Sequence, residues 1–244
     1  MHSLNERVEI EPGERLTRAL TAPDPATRLR YAQEGLSVDP DADMEFLLLR
    51  QVYVAQIALH QLQAAVEAAE AMVATGVMPD VAYTDQARAL AALGRLGPAI
   101  EAQRLAARNA PASRKSFQWW SLATLQHFAD DHEGALATLA RALRYAQRDR
   151  PLMKAHRAYI RLEAEMPVRG LSAIRDELRC SKVGQGYGQF LLGMIAHHVG
   201  DGPAAIVHLQ AFLRRNASID EVKRLTLREE LRRARLALAE RASE

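Results

Sequence analysis

Along most of the chain apolar residues recur three and four positions apart, the mark of one buried helical face, and these stretches come in pairs divided by short turns. The first member of each pair is predicted over 44–59, 82–93, 116–129, 152–164 and 187–199. The second opens on an Ala followed by a long or branched aliphatic residue: Ala65-Val66, Ala99-Ile100, Ala135-Leu136, Ala173-Ile174 and Ala205-Ile206, at intervals of 34, 36, 38 and 32 residues. Seven and eight positions after each Ala come Met72-Val73, Ala106-Ala107, Ala142-Leu143, Cys180-Ser181 and Phe212-Leu213, on the same helical face. Five positions before each Ala stands His60, Gly94, Asp130, Val168 or Gly200, of which the two glycines are the expected helix-ending residues. A degenerate pair precedes them: a short helix over 14–20, then Arg28-Leu29 in the Ala slot and Val38-Asp39-Pro40 at the close. A last helix is predicted over 218–240, with Val222, Leu225, Leu231, Ala234 and Leu238 as its apolar stripe and Ser218 with Glu221 as a capping box.

Composition points the same way. Only 5% of the 244 residues are aromatic, and Ala and Leu carry most of the apolar content, which favours helix over strand. Charge adds little: 32 Lys and Arg against 30 Asp and Glu are interspersed, so no nucleic-acid partner is expected. No apolar run is long enough for a membrane span, and residues 1–13 lack a signal-peptide core and are expected to be a flexible segment. A single cysteine, Cys180, excludes an internal disulfide and suits a reducing cytoplasm; its place in the second-helix stripe predicts a buried, inert thiol.

Candidate chemistry is sparse. The chain has no Gly-rich phosphate loop, no H-E-x-x-H, no G-x-S-x-G and no paired-Cys motif, so no enzyme, cofactor or metal is expected. The densest ionisable group, His127, Asp130, Asp131, His132 and Glu133, reads as a polar turn between helices. His197 and His198 are adjacent on a helix and point about 100° apart, unsuited to one ion. The last helix mixes its arginines with Glu221, Glu229, Glu230 and Glu240, which reads as a solvated face, with Arg228, Glu229, Arg232, Arg233 and Glu240 in water.

The third pair is the most telling. Asp80-Val81-Ala82-Tyr83 opens its first helix, Leu93-Gly94-Arg95-Leu96-Gly97-Pro98-Ala99-Ile100 makes the turn, and Pro111 ends it; Leu192-Gly193 and Gly200-Asp201-Gly202-Pro203 repeat the theme later. In these residues and spacings the sequence resembles the tetratricopeptide repeat family. The resemblance covers about 26–213 and departs from the family pattern at Gln147, at Arg161, where a small residue is usual, and at the Pro167 turn. It implies an all-α fold: a right-handed solenoid of antiparallel helix pairs, five to six repeats over 14–217, closed by a capping helix over 218–244. It also implies a concave groove lined from the first helices: Phe117, Trp120, Thr124, His127 and Phe128; Ala158 and Leu162, with small neighbours that leave room; and Tyr187, Phe190, Met194 and His197. Trp119, Tyr83 and Phe212 fall at core positions, and Arg88 stands as a lone cation. The function this implies is an intracellular adaptor or scaffold that binds a peptide or helix of a partner protein in the groove by burial. The alternative is a non-catalytic sensor that binds a small molecule or peptide there.

Overall fold

The computed structural model describes residues 11–242, which hold fourteen α-helices and no strand. They divide between Arg95 and Leu96 into two compact units. The first holds α1 (Pro12–Leu20), α2 (Pro25–Leu36), α3 (Ala42–Ala58), α4 (Leu62–Ala74) and α5 (Pro79–Ala92). The second holds α6 (Leu96–Asn109), α7 (Ala112–Phe128), α8 (His132–Tyr145), α9 (Arg150–Glu163), α10 (Leu171–Cys180), α11 (Tyr187–His198), α12 (Gly202–Arg215), α13 (Glu221–Thr226) and α14 (Arg228–Ala242). Within each unit successive helices pack on one another as far as α12, an arrangement compatible with an α-solenoid, and α14 closes the second unit against α11 and α12.

Local chemistry sets the helix starts. Proline occupies the first turn of α1, α2, α5, α9 and α12, where its missing N–H costs nothing. Asp24, Asp41, Asp131, Asp201 and Asp220 cap α2, α3, α8, α12 and α13 by accepting a backbone N–H three residues on.

The turns repeat in atomic detail. His60, Gly94, Asp130 and Gly200 all take the left-handed conformation, at φ of 58°, 77°, 60° and 78°. The next residue's N–H then reaches back five residues: Gln61 to Gln56, Arg95 to Leu90, Asp131 to Gln126 and Asp201 to Ala196, each at 2.9 Å. His60 and Asp130 thus fill a glycine role despite the cost of roughly 1–2 kcal/mol for a residue with a Cβ. The fifth pair departs: the left-handed residue is Glu165 and the closing bond runs from Met166 N–H to the Arg161 carbonyl.

Packing shows the same rhythm. Ala65, Ala99, Ala135 and Ala205 are fully buried, whereas Ala173 is exposed. Twelve positions before four of these slots stand Tyr53, Ala87, Ala123 and Gly193, all buried; a Cβ on Gly193 would lie 2.5 Å from Leu209. The corresponding residue of the fifth pair is Arg161, and α9 and α10 pack less closely than α7 with α8 or α11 with α12.

Several expectations are corrected. Pro12 and Gly13 belong to α1, because proline is suited to a first helical turn; residues 1–10 lie outside the described part. The last helix is two: Asp220, not Ser218, caps α13, and Leu227 breaks the run before α14. Val222 and Leu225 are only half-buried, and Leu231, Ala234 and Ala237 of α14 carry the contact. Cys180, at the end of a short α10 that buries only Leu178, is exposed. Tyr83 is half-buried while Trp119 and Phe212 are in the core. Arg88 is no lone cation: it pairs with buried Asp85 at 3.0 Å, alongside Arg50 at 3.3 Å.

Candidate binding site

The second unit brings α7, α9 and α14 together around a chain of hydrogen bonds. Trp120 Nε1 lies 2.9 Å from His156 Nδ1, and His156 Nε2 lies 3.0 Å from His127 Nδ1. His127 Nε2 meets Glu163 Oε2, and the other Glu163 oxygen takes a guanidinium N–H of Arg233. An indole N–H only donates, so His156 Nδ1 must be a bare acceptor and its hydrogen sits on Nε2. That hydrogen points at His127 Nδ1, which places the His127 hydrogen on Nε2, directed at the carboxylate. Every member of the chain thus has one direction, and neither imidazole can take a second proton without losing a bond.

Electrostatics agree with that direction. Burial pushes both His127 and His156 below the ordinary imidazole value, most strongly for the fully buried His156, while Glu163 partly opposes the shift at His127. Burial alone would raise Glu163, but the hydrogen bond from His127 and the charge of Arg233 outweigh it and hold the carboxyl below its usual value. Arg233 also donates to Tyr159 Oη at 3.0 Å and Glu229 Oε1 at 2.9 Å, and its guanidinium lies 4.8 Å from the Phe128 ring centre. Arg233 and Glu229, expected in water, therefore turn inward.

A second feature of this unit is an open cleft of about 430 Å³ beside α9 and the start of α10, walled by Lys154, Arg157, Ala158, Arg161, Pro167, Val168, Arg169 and Ile174. Arg161 stands in the slot held by Ala87, Ala123 and Gly193 in three other pairs and by buried Tyr53 in a fourth; it is the one charged residue among them, and its presence there accompanies the loose α9–α10 pairing. Its Nε–H donates to the Pro167 carbonyl at 3.0 Å, fixing the turn that forms one wall. Lys154 is neutralised by Glu177 at 2.8 Å. Among the described residues Arg157, Arg161 and Arg169 have no carboxylate partner.

The predicted groove residues divide. Phe117 is exposed, Trp120 and Tyr187 are half-buried, and Phe190 is fully buried; together they stack edge to face, with centroids 6.3 Å (Phe117–Trp120), 5.0 Å (Trp120–Tyr187) and 5.5 Å (Tyr187–Phe190) apart. These four rings touch in a row without Phe128, which lies against His127 instead, and the inner end of the row is core, because Phe190 continues onto Phe212 at 5.4 Å. His127, Ala158 and Met194 are buried too, and His127 is no part of a solvated turn. Phe128, Leu162 and His197 are half-buried; Leu162 packs on the core, and His197 is held by Glu240 at 3.2 Å. The Thr124 hydroxyl donates to its own helix at the Trp120 carbonyl, 3.0 Å away. Of the whole set, Ala158 alone also borders the cleft.

Sequence reasoning missed His156, Tyr159 and Glu163 and put Arg233 in solvent. A signal existed: Trp120 and His156 are 36 residues apart, as are His127 and Glu163, and buried Asp85 follows Arg50 by 35. Polar residues one repeat apart are brought side by side by the stacking itself. A scan against protein-family models and a comparison with curated proteins both find no match for this chain.

Proposed function

We propose that this chain is a non-catalytic interaction protein of the tetratricopeptide type, a right-handed stack of helix pairs acting in the cytoplasm, and that it binds an acidic segment of a partner protein in the cleft beside α9. The observation that carries the reading is the cleft itself: three guanidiniums without a carboxylate, around a space of about 430 Å³, at the pair where Arg161 replaces a small residue. Charge capture takes the place of the burial mode read from the rings, because Phe190, Met194 and His127 are used by the core. The recurring turns and buried Ala slots support the repeat assignment.

The test is fluorescence anisotropy of labelled Asp/Glu-rich and charge-neutral peptides of equal length against the full chain and its Arg157→Ala and Arg161→Ala variants. Binding confined to acidic peptides, weakened by added salt and by either variant, is expected. Equal binding of both peptides, or indifference to both substitutions, refutes the cleft. A second reading, a small anionic ligand, is favoured by the cleft volume, which falls in the ordinary range for small-molecule sites. Thermal stabilisation by carboxylate or phosphate metabolites without peptide binding would select it.

A further inference from the structure

His127, His132 and Glu163 each offer a ligand atom, and the three atoms lie within 4.8 Å of one another. They come from the end of α7, the start of α8 and the end of α9, all in the second unit. The hydrogen-bond chain accounts for His127 and Glu163 but leaves His132 unexplained. Its ring centre is 5.8 Å from that of His127, and its Nε2 is shielded from water without any hydrogen-bond partner. A histidine with a ring nitrogen shielded from water and left without a partner, whose ligand atom lies within 4.8 Å of those of an imidazole and a carboxylate, fits an unfilled coordination sphere.

We propose that these three residues form a site for a divalent transition-metal ion of the Zn²⁺ class, with water completing the coordination, and that filling it rearranges hydrogens as far as Trp120. Two imidazoles, one carboxylate and an open position form a donor set that Zn²⁺ accepts, at metal–ligand distances of about 2.0–2.2 Å. The metal takes the place of the hydrogen between His127 and Glu163. Arg233 stays on the second Glu163 oxygen and orients the carboxylate, although its charge opposes the cation; Glu229, bonded to Arg233 Nε, offsets that charge.

The coupling follows from the single direction of the chain. A metal on His127 Nε2 needs the lone pair there, so the neutral ring must carry its hydrogen on Nδ1. His156 Nε2 faces that atom and must then accept, which moves the His156 hydrogen to Nδ1, where Trp120 Nε1–H already points. The hydrogen leaving His127 Nε2 is balanced by the one gained at His156 Nδ1, and no net proton is released. Two donors now face each other, so the Trp120 bond breaks.

The experiment titrates Zn²⁺ into untagged, chelator-stripped full chain by calorimetry while following tryptophan fluorescence. The chain has two tryptophans, so a Trp119→Phe background leaves Trp120 as the reporter. One equivalent of Zn²⁺ with a chelator-reversible change in Trp120 emission is expected. His132 is only half-buried and stands at the first position of α8, so the His132→Ala variant should keep its helicity while losing at least about tenfold in uptake. Co²⁺ should give visible absorption that the variant loses. No uptake, or uptake that His132→Ala and Glu163→Gln both leave unchanged, overturns the site. Stoichiometric uptake with an unmoved Trp120 signal keeps the site and overturns the coupling.

Discussion

Glu230 offers the sharpest quantitative test of the packing around α14. It sits in the first turn of that helix, buried, with the Tyr187 hydroxyl donating to it at 3.0 Å. Burial raises its carboxyl from 4.5 to about 7, outweighing the lowering effect of that hydrogen bond. Below 4.5 the group is protonated in folded and unfolded chains alike, and its packing is fully available. Between 4.5 and about 7 only the unfolded chain ionises, so stability falls as pH rises, and it levels off above the folded value. The loss from end to end is on the order of 3 kcal/mol. Glu230→Gln keeps an acceptor for Tyr187 and removes the titration. Urea denaturation of both proteins from about pH 4 to about pH 8 should show the variant gaining on the wild type with each step, by roughly 3 kcal/mol in all. A stability difference that stays constant over that range would mean Glu230 is hydrated in the folded chain and would refute the argument.

Other substitutions test other contacts. Gly193→Ala should destabilise the second unit by about 1–3 kcal/mol in urea melts, since its new methyl meets Leu209 at 2.5 Å. Trp120→Phe leaves the buried His156 Nδ1 without its donor and should cost about 1–3 kcal/mol. Trp119→Phe should cost less, because the Trp119 N–H has no partner to lose and a ring still fills the space against Arg141; equal losses in the two melts would contradict the hydrogen-bond chain. Cys180 should react with a thiol reagent in native buffer at the rate of an exposed thiol, and slow, denaturant-dependent labelling would restore it to the core.

How much of this was legible depended on the distance over which the signal acts. Helix pairs, the left-handed turn positions and the buried Ala slots are fixed by neighbours in sequence, and the spacing of Ala65, Ala99, Ala135 and Ala205 displayed them directly. His60 and Asp130 share the register of Gly94 and Gly200, but only the two glycines were expected to end their helices, because a residue with a Cβ gives no sign in sequence that it will turn left-handed. The candidate sites depend on longer reach. Arg233 meets Glu163 across 70 residues, and nothing in the alternating charges of α14 says which arginine turns inward. Burial of His127 was hidden because its neighbours Asp130 and Asp131 are truly a polar turn, one left-handed and one an N-cap, while His127 lies one helical turn earlier on the inner face. Phe190 was misplaced for the opposite reason: a ring at the right spacing can face a groove or the next helix, and only the position of Phe212 decides.

Arg161 also bears on motion. In a stack where each helix pair leans on its neighbours, a slot filled by a bulky cation weakens one pair while the rest keep their contacts. The burden falls on α10, the ten-residue helix that buries Leu178 alone. Opening this helix exposes little apolar surface, so its amides should exchange with solvent through small local excursions long before those of α11 behind it, whose eight buried residues tie exchange to much larger unfolding events. The second unit therefore has a soft wall on a hard frame, and the basic cleft lies on the soft side.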